Sequence, residues 1–181
     1  ILNIETSTTN CSVSISENEE IIASQEKNFE YYSHSEVLHV YIAELFSKSN
    51  LEITDIRAVS ISEGPGSYTG LRIGSATAKG ICFALKIPLI AIDTMHILAK
   101  KIKSTKGYII PNLDAGRNEI YFSVFDRTYQ KIQPTNFKEL KTKSFEKYLD
   151  SESVQFVGNA NNKLKKFLNS DNAIFSKNEL P

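Results

Sequence analysis

Apolar and polar positions alternate from the start of the chain. Leu2 and Ile4 alternate with Asn3 and Glu5, so residues 1–6 read as a half-buried strand. After the polar turn Ser7-Thr8-Thr9-Asn10, the residues Cys11, Val13 and Ile15 alternate with serines, which predicts a partner strand over 11–16. A third, more polar strand is expected over 21–28. The period then lengthens. Val37, Leu38, Tyr41, Ile42, Leu45 and Phe46 recur at helical spacing, and Ser33-His34-Ser35-Glu36 fits a capping box, so a helix is expected from Ser33 to Ser49-Asn50. A strand over 58–62, a glycine turn, a helix to about Lys86, a strand over 89–92 and a helix over 94–103 follow. The order is β-β-β-α-β-α.

The second half repeats that order without repeating the residues. Strands are expected over 108–113, over 119–125 with Ile120, Phe122 and Val124 on one side, and near 130–134. A short helix over 144–149, a strand over 154–157 that runs into Gly158-Asn159, and a helix over 162–168 complete the second set. A duplicated β-β-β-α-β-α unit is the plan of the actin, sugar-kinase and Hsp70 superfamily. The expected fold is therefore α/β and two-lobed (ASKHA), with lobes over residues 1–105 and 106–181. In that superfamily, nucleotide phosphates lie between the halves and are held by the first hairpin turns. The places of those turns are taken here by residues 5–9 and by Asp114-Ala115-Gly116-Arg117.

The stretch from Ser60 to Asp93 stands apart. Its turn, Gly64-Pro65-Gly66-Ser67, combines two permissive residues with one that fixes φ. Ser67 is placed to cap the following helix, and a helix N-terminus offers free N–H groups and a positive dipole end. Gly64, Gly66 and Ser67 are thus a candidate nucleotide or anion turn. Gly70, Gly74, Ala78 and Cys82 recur every four residues and share one face of the helix. Glycine inside a helix costs about 1 kcal/mol relative to alanine, so something must come close to this face. Two occupants fit: the helix's own sheet, or a second helix from this chain or a partner.

Composition narrows the class. Of 181 residues, 41% are apolar and 23% charged, the balance of an ordinary globular protein. Lys+Arg and Asp+Glu both number 21, so the net charge is zero and the overall composition gives no sign of a nucleic-acid binder. A local run at Lys163, Lys165 and Lys166 reads as a solvated helix face. Cys11 and Cys82 have no ligand-pair spacing and read as buried thiols. No charged leader or apolar h-region precedes the first strand, and the most apolar stretch, broken by Lys86 and Pro88, is too short to span a bilayer. A cytoplasmic protein with no membrane contact is expected.

The candidate chemistry is sparse. The glycine turn lacks the Lys-Ser or Lys-Thr pair of a Walker loop. It reads G-x-G-x-x-x-G, one residue longer than a dinucleotide fingerprint, although Asp93 stands near where a ribose-binding acid would fall. His34 and His39 are five apart in H-S-E-V-L-H. On a helix they point roughly 140° apart and do not share one metal ion. Gly66-Ser67-Tyr68-Thr69-Gly70 misses the nucleophile-elbow pattern. No catalytic and no metal-ligating residue is expected; Asp114 and Arg117 are either turn residues or a site, in which Asp114 would be the acid.

Four segments together resemble the TsaB (YeaZ) family of tRNA threonylcarbamoyladenosine biosynthesis. They are I-L-N-I-E-T-S-T at the start, H-S-E-V-L on the first helix, G-P-G-S-Y-T-G-L-R-I-G-S-A-T-A-K-G, and N-L-D-A-G-R-N-E-I-Y. The resemblance covers about residues 1–126; the rest is weakly diagnostic, and the second lobe is expected to be incomplete at its C-terminus. Many relatives carry Asp where this chain has Glu5. The resemblance implies a glycoprotease-like paralogue of TsaD with no metal set of its own. It implies a non-catalytic scaffold or activator for transfer of a threonylcarbamoyl group to the adenosine beside the anticodon of ANN-decoding tRNAs. The implied partners are TsaD as a heterodimer, the ATPase TsaE, and a second copy of the chain when alone, with tRNA met only through the complex. Cofactors are expected to be none, save ATP or ADP at the partner interface. The implied partner face lies on the first-lobe helices, with His34, Leu38, Tyr41, Gly70, Gly74 and Ala78 as its candidate residues. The competing class is an enzyme on the same fold, an ATP-dependent phosphotransferase or a metallopeptidase.

Overall fold

The computed structural model describes residues 1–30, 33–103, 106–177 and 180–181. The alternating segments at the start form β1 (Leu2–Glu5), β2 (Asn10–Glu17) and β3 (Glu20–Asn28). β1 pairs antiparallel with β2, and β2 with β3. Helix α1 (His34–Ser49) follows, then β4 (Val59–Gly64), helix α2 (Tyr68–Leu85), β5 (Leu89–Asp93) and helix α3 (Thr94–Lys100). β4 lies parallel to β1 and β5 parallel to β4, so the sheet order is β3-β2-β1-β4-β5. The second half gives β6 (Tyr108–Asp114), β7 (Glu119–Phe125), β8 (Lys131–Glu139), α4 (Glu146–Leu149), β9 (Val154–Gly158), α5 (Asn161–Leu164) and β10 (Ala173–Phe175). Its sheet order is β8-β7-β6-β9-β10, the same arrangement strand for strand. The duplicated ASKHA plan is therefore present.

The chain divides into two compact units, Ile1–Thr94 and Met95–Pro181. The boundary expected at 105 and 106 lies partly outside the described residues. The division falls earlier because Met95, Leu98 and Ala99 of α3 pack on Ile109, Leu113, Phe125 and Val157 of the second unit.

In the first unit, Leu2, Ile4, Val13, Ile15, Val59 and Ile61 turn one face of the sheet towards Leu38, Ile42 and Leu45 of α1 and Ala78 of α2. The period of two puts polar residues on the other face. There Asn3 Nδ2 donates to Ser14 Oγ and Ser16 Oγ, each at 3.1 Å, and Ser60 Oγ donates to Asn3 Oδ1 at 2.7 Å. In the second unit both faces are covered. Ala160 and Leu164, with Phe145 and Leu149, pack on Ile110, Phe122 and Phe156, opposite the face that takes α3.

Local detail departs from the sequence in five places. The capping box at Ser33 does not form: Ser33 has φ −121° and its side chain makes no cap hydrogen bond. α3 stops at Lys100 and α5 spans only four residues. β8 runs on to Glu139, well past Pro134, because an edge strand tolerates a proline. β10 was not expected from a stretch as short as Ala173–Phe175; it forms by pairing parallel to β9.

Candidate functional site

The α2 turn is built against the first hairpin. Ser67 N–H donates to Ser7 O at 2.6 Å, and Ser67 Oγ accepts from Gly70 N–H at 3.2 Å, the cap that the sequence predicts. A Cβ on Gly66 would stand 2.4 Å from Ser7 O, so only glycine lets the two turns meet. Glu5 closes the same corner from within. Its carboxylate accepts from Ser7 N–H at 2.6 Å and from the Ser62 hydroxyl. At the Gly64, Gly66 and Ser67 turn the Ser7 N–H and the Ser67 hydroxyl are thus engaged inside the chain, whereas the buried Ser7 hydroxyl meets no partner among the described residues.

The small-residue row faces inward. A Cβ on Gly70 would lie 2.1 Å from Thr6 O and one on Gly74 2.3 Å from Thr6 Oγ1. Thr6 Oγ1 itself donates to Gly70 O at 2.9 Å. Ala78 is buried beside them. From α1, His34 is buried with Nε2 2.7 Å from Thr8 O, Leu38 is buried, and Tyr41 is half-buried on the same core. His34, Leu38, Gly70, Gly74 and Ala78 thus serve the contact of α1 and α2 with their own sheet and first turn, and of the six candidate partner residues Tyr41 alone is not fully buried. The glycine spacing signalled a close approach, and the approaching group is Thr6.

The outer side of the same helices is apolar and open. His39, Ile42, Ile53, Ala76, Thr77, Gly80 and Ile81 line a depression of about 460 Å³. His39 Nε2 stands 3.5 Å from Thr77 Oγ1 and bridges α1 to α2 across it. Nothing lies within 4 Å of a Cβ added at Gly80. Phe83, one turn on, is 88% exposed, and Val40 and Tyr68 are exposed too. Ala76, Gly80 and Phe83 lie at helical spacing, a signal that was readable in the sequence but was masked by the stronger glycine row. The two histidines of H-S-E-V-L-H thus face opposite surroundings, one into the core and one into this groove. Among the described residues no group of three His, Cys, Asp or Glu side chains is placed to hold a metal ion.

The second hairpin turn is also closed by its own residues. Lys163 Nζ donates to Asp114 Oδ1 at 2.5 Å and to the carbonyls of Gly116 and Glu119 at 3.0 and 3.2 Å. Asp114 Oδ1 accepts from Gly116 N–H at 2.7 Å, and Asp114 N–H donates to Asn159 Oδ1 at 2.8 Å. Beneath it Asn112 Nδ2 donates to Asn161 Oδ1 at 2.9 Å, fully buried. Of the lysine run at 163–166, one member is thus a structural cation with a side chain only 15% exposed. Lys163→Met is expected to lower stability by about 1–2 kcal/mol, since two carbonyls and a carboxylate each lose one of their donors. Urea unfolding checks it; an unchanged midpoint would mean that water replaces the ammonium without loss.

Burial beside the Glu5 charge pushes the Cys11 thiol up to about 11 from 9.0. The folded chain favours the neutral thiol, so that stabilisation is complete below the unfolded value and is lost as the pH climbs through the folded one. Between those two values the urea midpoint is expected to fall more steeply for the parent than for Cys11→Ala. Parallel falls would remove the thiol from the explanation.

Comparison with known proteins shows what the chain is similar to. The family model for TsaD, tRNA N6-adenosine threonylcarbamoyltransferase, matches residues 21–177. The tRNA threonylcarbamoyladenosine biosynthesis protein TsaB of Buchnera aphidicola (from Acyrthosiphon pisum) is 33% identical over 134 residues, covering 73% of this chain and 60% of that protein. TsaB of Escherichia coli K12 is 29% identical over 131 residues, 70% of this chain and 55% of that one. The matched part therefore spans a little over half the length of these relatives. A Pseudomonas aeruginosa structure, described as an uncharacterized protein with similarity to peptidase YeaZ, superposes with a TM-score of 0.82 over 99% of this chain and 84% of its own, at 18% identity.

Proposed function

Because the chain belongs to the TsaB family of tRNA threonylcarbamoyladenosine biosynthesis, related to TsaD, we propose that it is a non-catalytic scaffold that binds TsaD and holds it competent for transfer to tRNA. One observation carries the reading: the apolar strip of Ala76, Gly80 and Phe83, with His39 from α1, lies open on the outer side of the first unit. A Phe ring left 88% exposed beside a small-residue groove suits a helix laid across it. The partner face is thus moved from the buried row to the opposite side of the same helices. TsaE and a second copy of the chain are the further partners, and the cytoplasm the compartment; among the described residues no helix is long and apolar enough to cross a membrane.

A partner that binds one conformation of TsaD better shifts its population by that difference in affinity, and no catalytic group on this chain is needed. The phosphotransferase reading asks for an acid at the second turn. There Asp114 is tied to Lys163, Gly116 and, through its N–H, Asn159, as a turn residue would be. The experiment is threonylcarbamoyladenosine formation on an ANN-decoding tRNA with TsaD, TsaE, ATP and threonylcarbamoyl-adenylate. Modification is expected with this protein added and not without it. Full repeated turnover in its absence would refute the scaffold role, and turnover with this protein alone would make it an enzyme.

A further inference from the structure

The neutral net charge conceals two opposed halves. Residues 1–94 carry 6 Lys and Arg against 12 Asp and Glu, a balance of −6; residues 95–181 carry 15 against 9, a balance of +6. Four of these fifteen cations, Lys100, Lys101, Lys103 and Arg127, belong to one corner of the second unit. Lys100 ends α3, and Lys101 and Lys103 follow it, all three exposed. Tyr129, in the turn between β7 and β8, ties that corner together. Its ring lies 4.0 Å from Lys100 Nζ, and its hydroxyl donates to Ile102 O at 2.7 Å. Exposed Arg127 stands two residues before it in the same turn. The nearby acid in this turn, Asp126, is already engaged: one carboxylate oxygen accepts from Thr128 N–H at 2.8 Å, the Thr128 hydroxyl at 2.7 Å and Gln130 N–H at 2.9 Å. Among the described residues Lys100, Lys101 and Lys103 make no ion pair.

Structural demand does not account for the cluster. A cation in the last turn of a helix is favoured by the dipole, by about 0.3–1 kcal/mol, but that covers Lys100 alone. Among the described residues Lys101 and Lys103 have no carboxylate partner, and the only acid whose charge Arg127 meets is its neighbour Asp126, already engaged by Thr128 and Gln130. Uncompensated like charges held side by side repel, and a polyanion relieves that repulsion by shedding its own counterions.

We propose that the end of α3 and the β7–β8 turn form a landing surface for the phosphate backbone of RNA, with Lys100, Lys101, Lys103 and Arg127 as its cations and Tyr129 as its apolar brace. This rests on the reading that the protein works on tRNA. It departs from the expectation that tRNA is reached only through other subunits. A backbone contact carries no sequence information, so it orients the RNA and leaves choice of the target adenosine to the transferase.

The test is a fluorescence-anisotropy titration of a labelled ANN-decoding tRNA transcript with the full chain alone, at several salt concentrations. Binding in the micromolar range at about 50 mM salt is expected, falling steeply as salt rises. In Lys100→Gln/Lys101→Gln/Lys103→Gln the affinity is expected to fall about tenfold or more, with the log–log salt slope shallower by roughly 2–3. The control, Lys165→Gln/Lys166→Gln, alters the residues that directly follow α5 on the opposite face of the sheet and is expected to bind as the parent does. All five lysines are exposed, so both variants should melt as the parent. No binding by the parent, an unchanged triple variant, or an equal loss in the control would overturn the proposal. So would loss of TsaD association with RNA affinity intact, which would make the corner a protein contact. The titration needs neither TsaD nor turnover, so failure of the scaffold reading leaves its outcome separately readable.

Discussion

Gly70→Ala is expected to lower the stability of the first unit by about 1–3 kcal/mol, while Gly80→Ala, ten residues along the same helix, is expected to raise it by up to about 1 kcal/mol. Both changes add one methyl group to α2 and both gain helix propensity. They differ in what the methyl meets. At position 70 it would stand 2.1 Å from the backbone oxygen of Thr6, which cannot rotate away; at position 80 nothing lies within 4 Å. Gly74→Leu belongs with Gly70. Its branches would enter the space of the Thr6 side chain, whose hydroxyl is bonded to Gly70 O. That variant is expected to unfold the unit and is therefore of no use as a test of partner binding. Urea denaturation followed by circular dichroism measures all three. A stabilised Gly70→Ala would mean that α2 slides outward, and the close contact with the first turn would lose its importance.

Phe83→Asp is expected to abolish association with TsaD while leaving the fold intact. The side chain is 88% exposed, so its removal opens no cavity. If the ring is an anchor in a partner's pocket, its loss costs about 2 kcal/mol or more, at least thirtyfold in affinity, and a carboxylate in its place must be desolvated as well. Light scattering of mixtures with TsaD should show no complex, and modification of the tRNA should fall in step. Ala76→Asp, two turns earlier on the same strip, is expected to act alike. Normal complex size with either variant would move the interface off this face, whereas loss of circular dichroism would show that the strip serves folding.

The two glycine positions also mark how far the chain could be read without its tertiary structure. The period of two in residues 1–28, the helical stripe of α1, the serine cap of α2 and the repeated element order were legible, because each depends on neighbours a few residues apart. The four-residue spacing of Gly70, Gly74 and Ala78 correctly announced a close approach. It could not name the approaching group, because Thr6 is 64 residues from Gly70 and adjoins it only once β4 lies beside β1. Lys163 and Asp114 are likewise far apart, 49 residues along the chain, which made a structural cation look like a solvated one and a tied carboxylate look available. The opposed charges of the two halves were present in the sequence, yet averaging over the whole chain cancelled them until the division after Thr94 was known.

What the sequence determined by itself, then, was the local grammar: strand and helix periods, the α2 turn and its serine cap, and, through four short segments, the family resemblance. The tertiary structure decided which face of each helix is spent. Packing α1 and α2 on one sheet consumes the side that carries Leu38, Gly74 and Ala78 and leaves Ala76, Gly80 and Phe83 to solvent. A helix has the same period on every face, so only the position of the sheet distinguishes an inner stripe from an outer one.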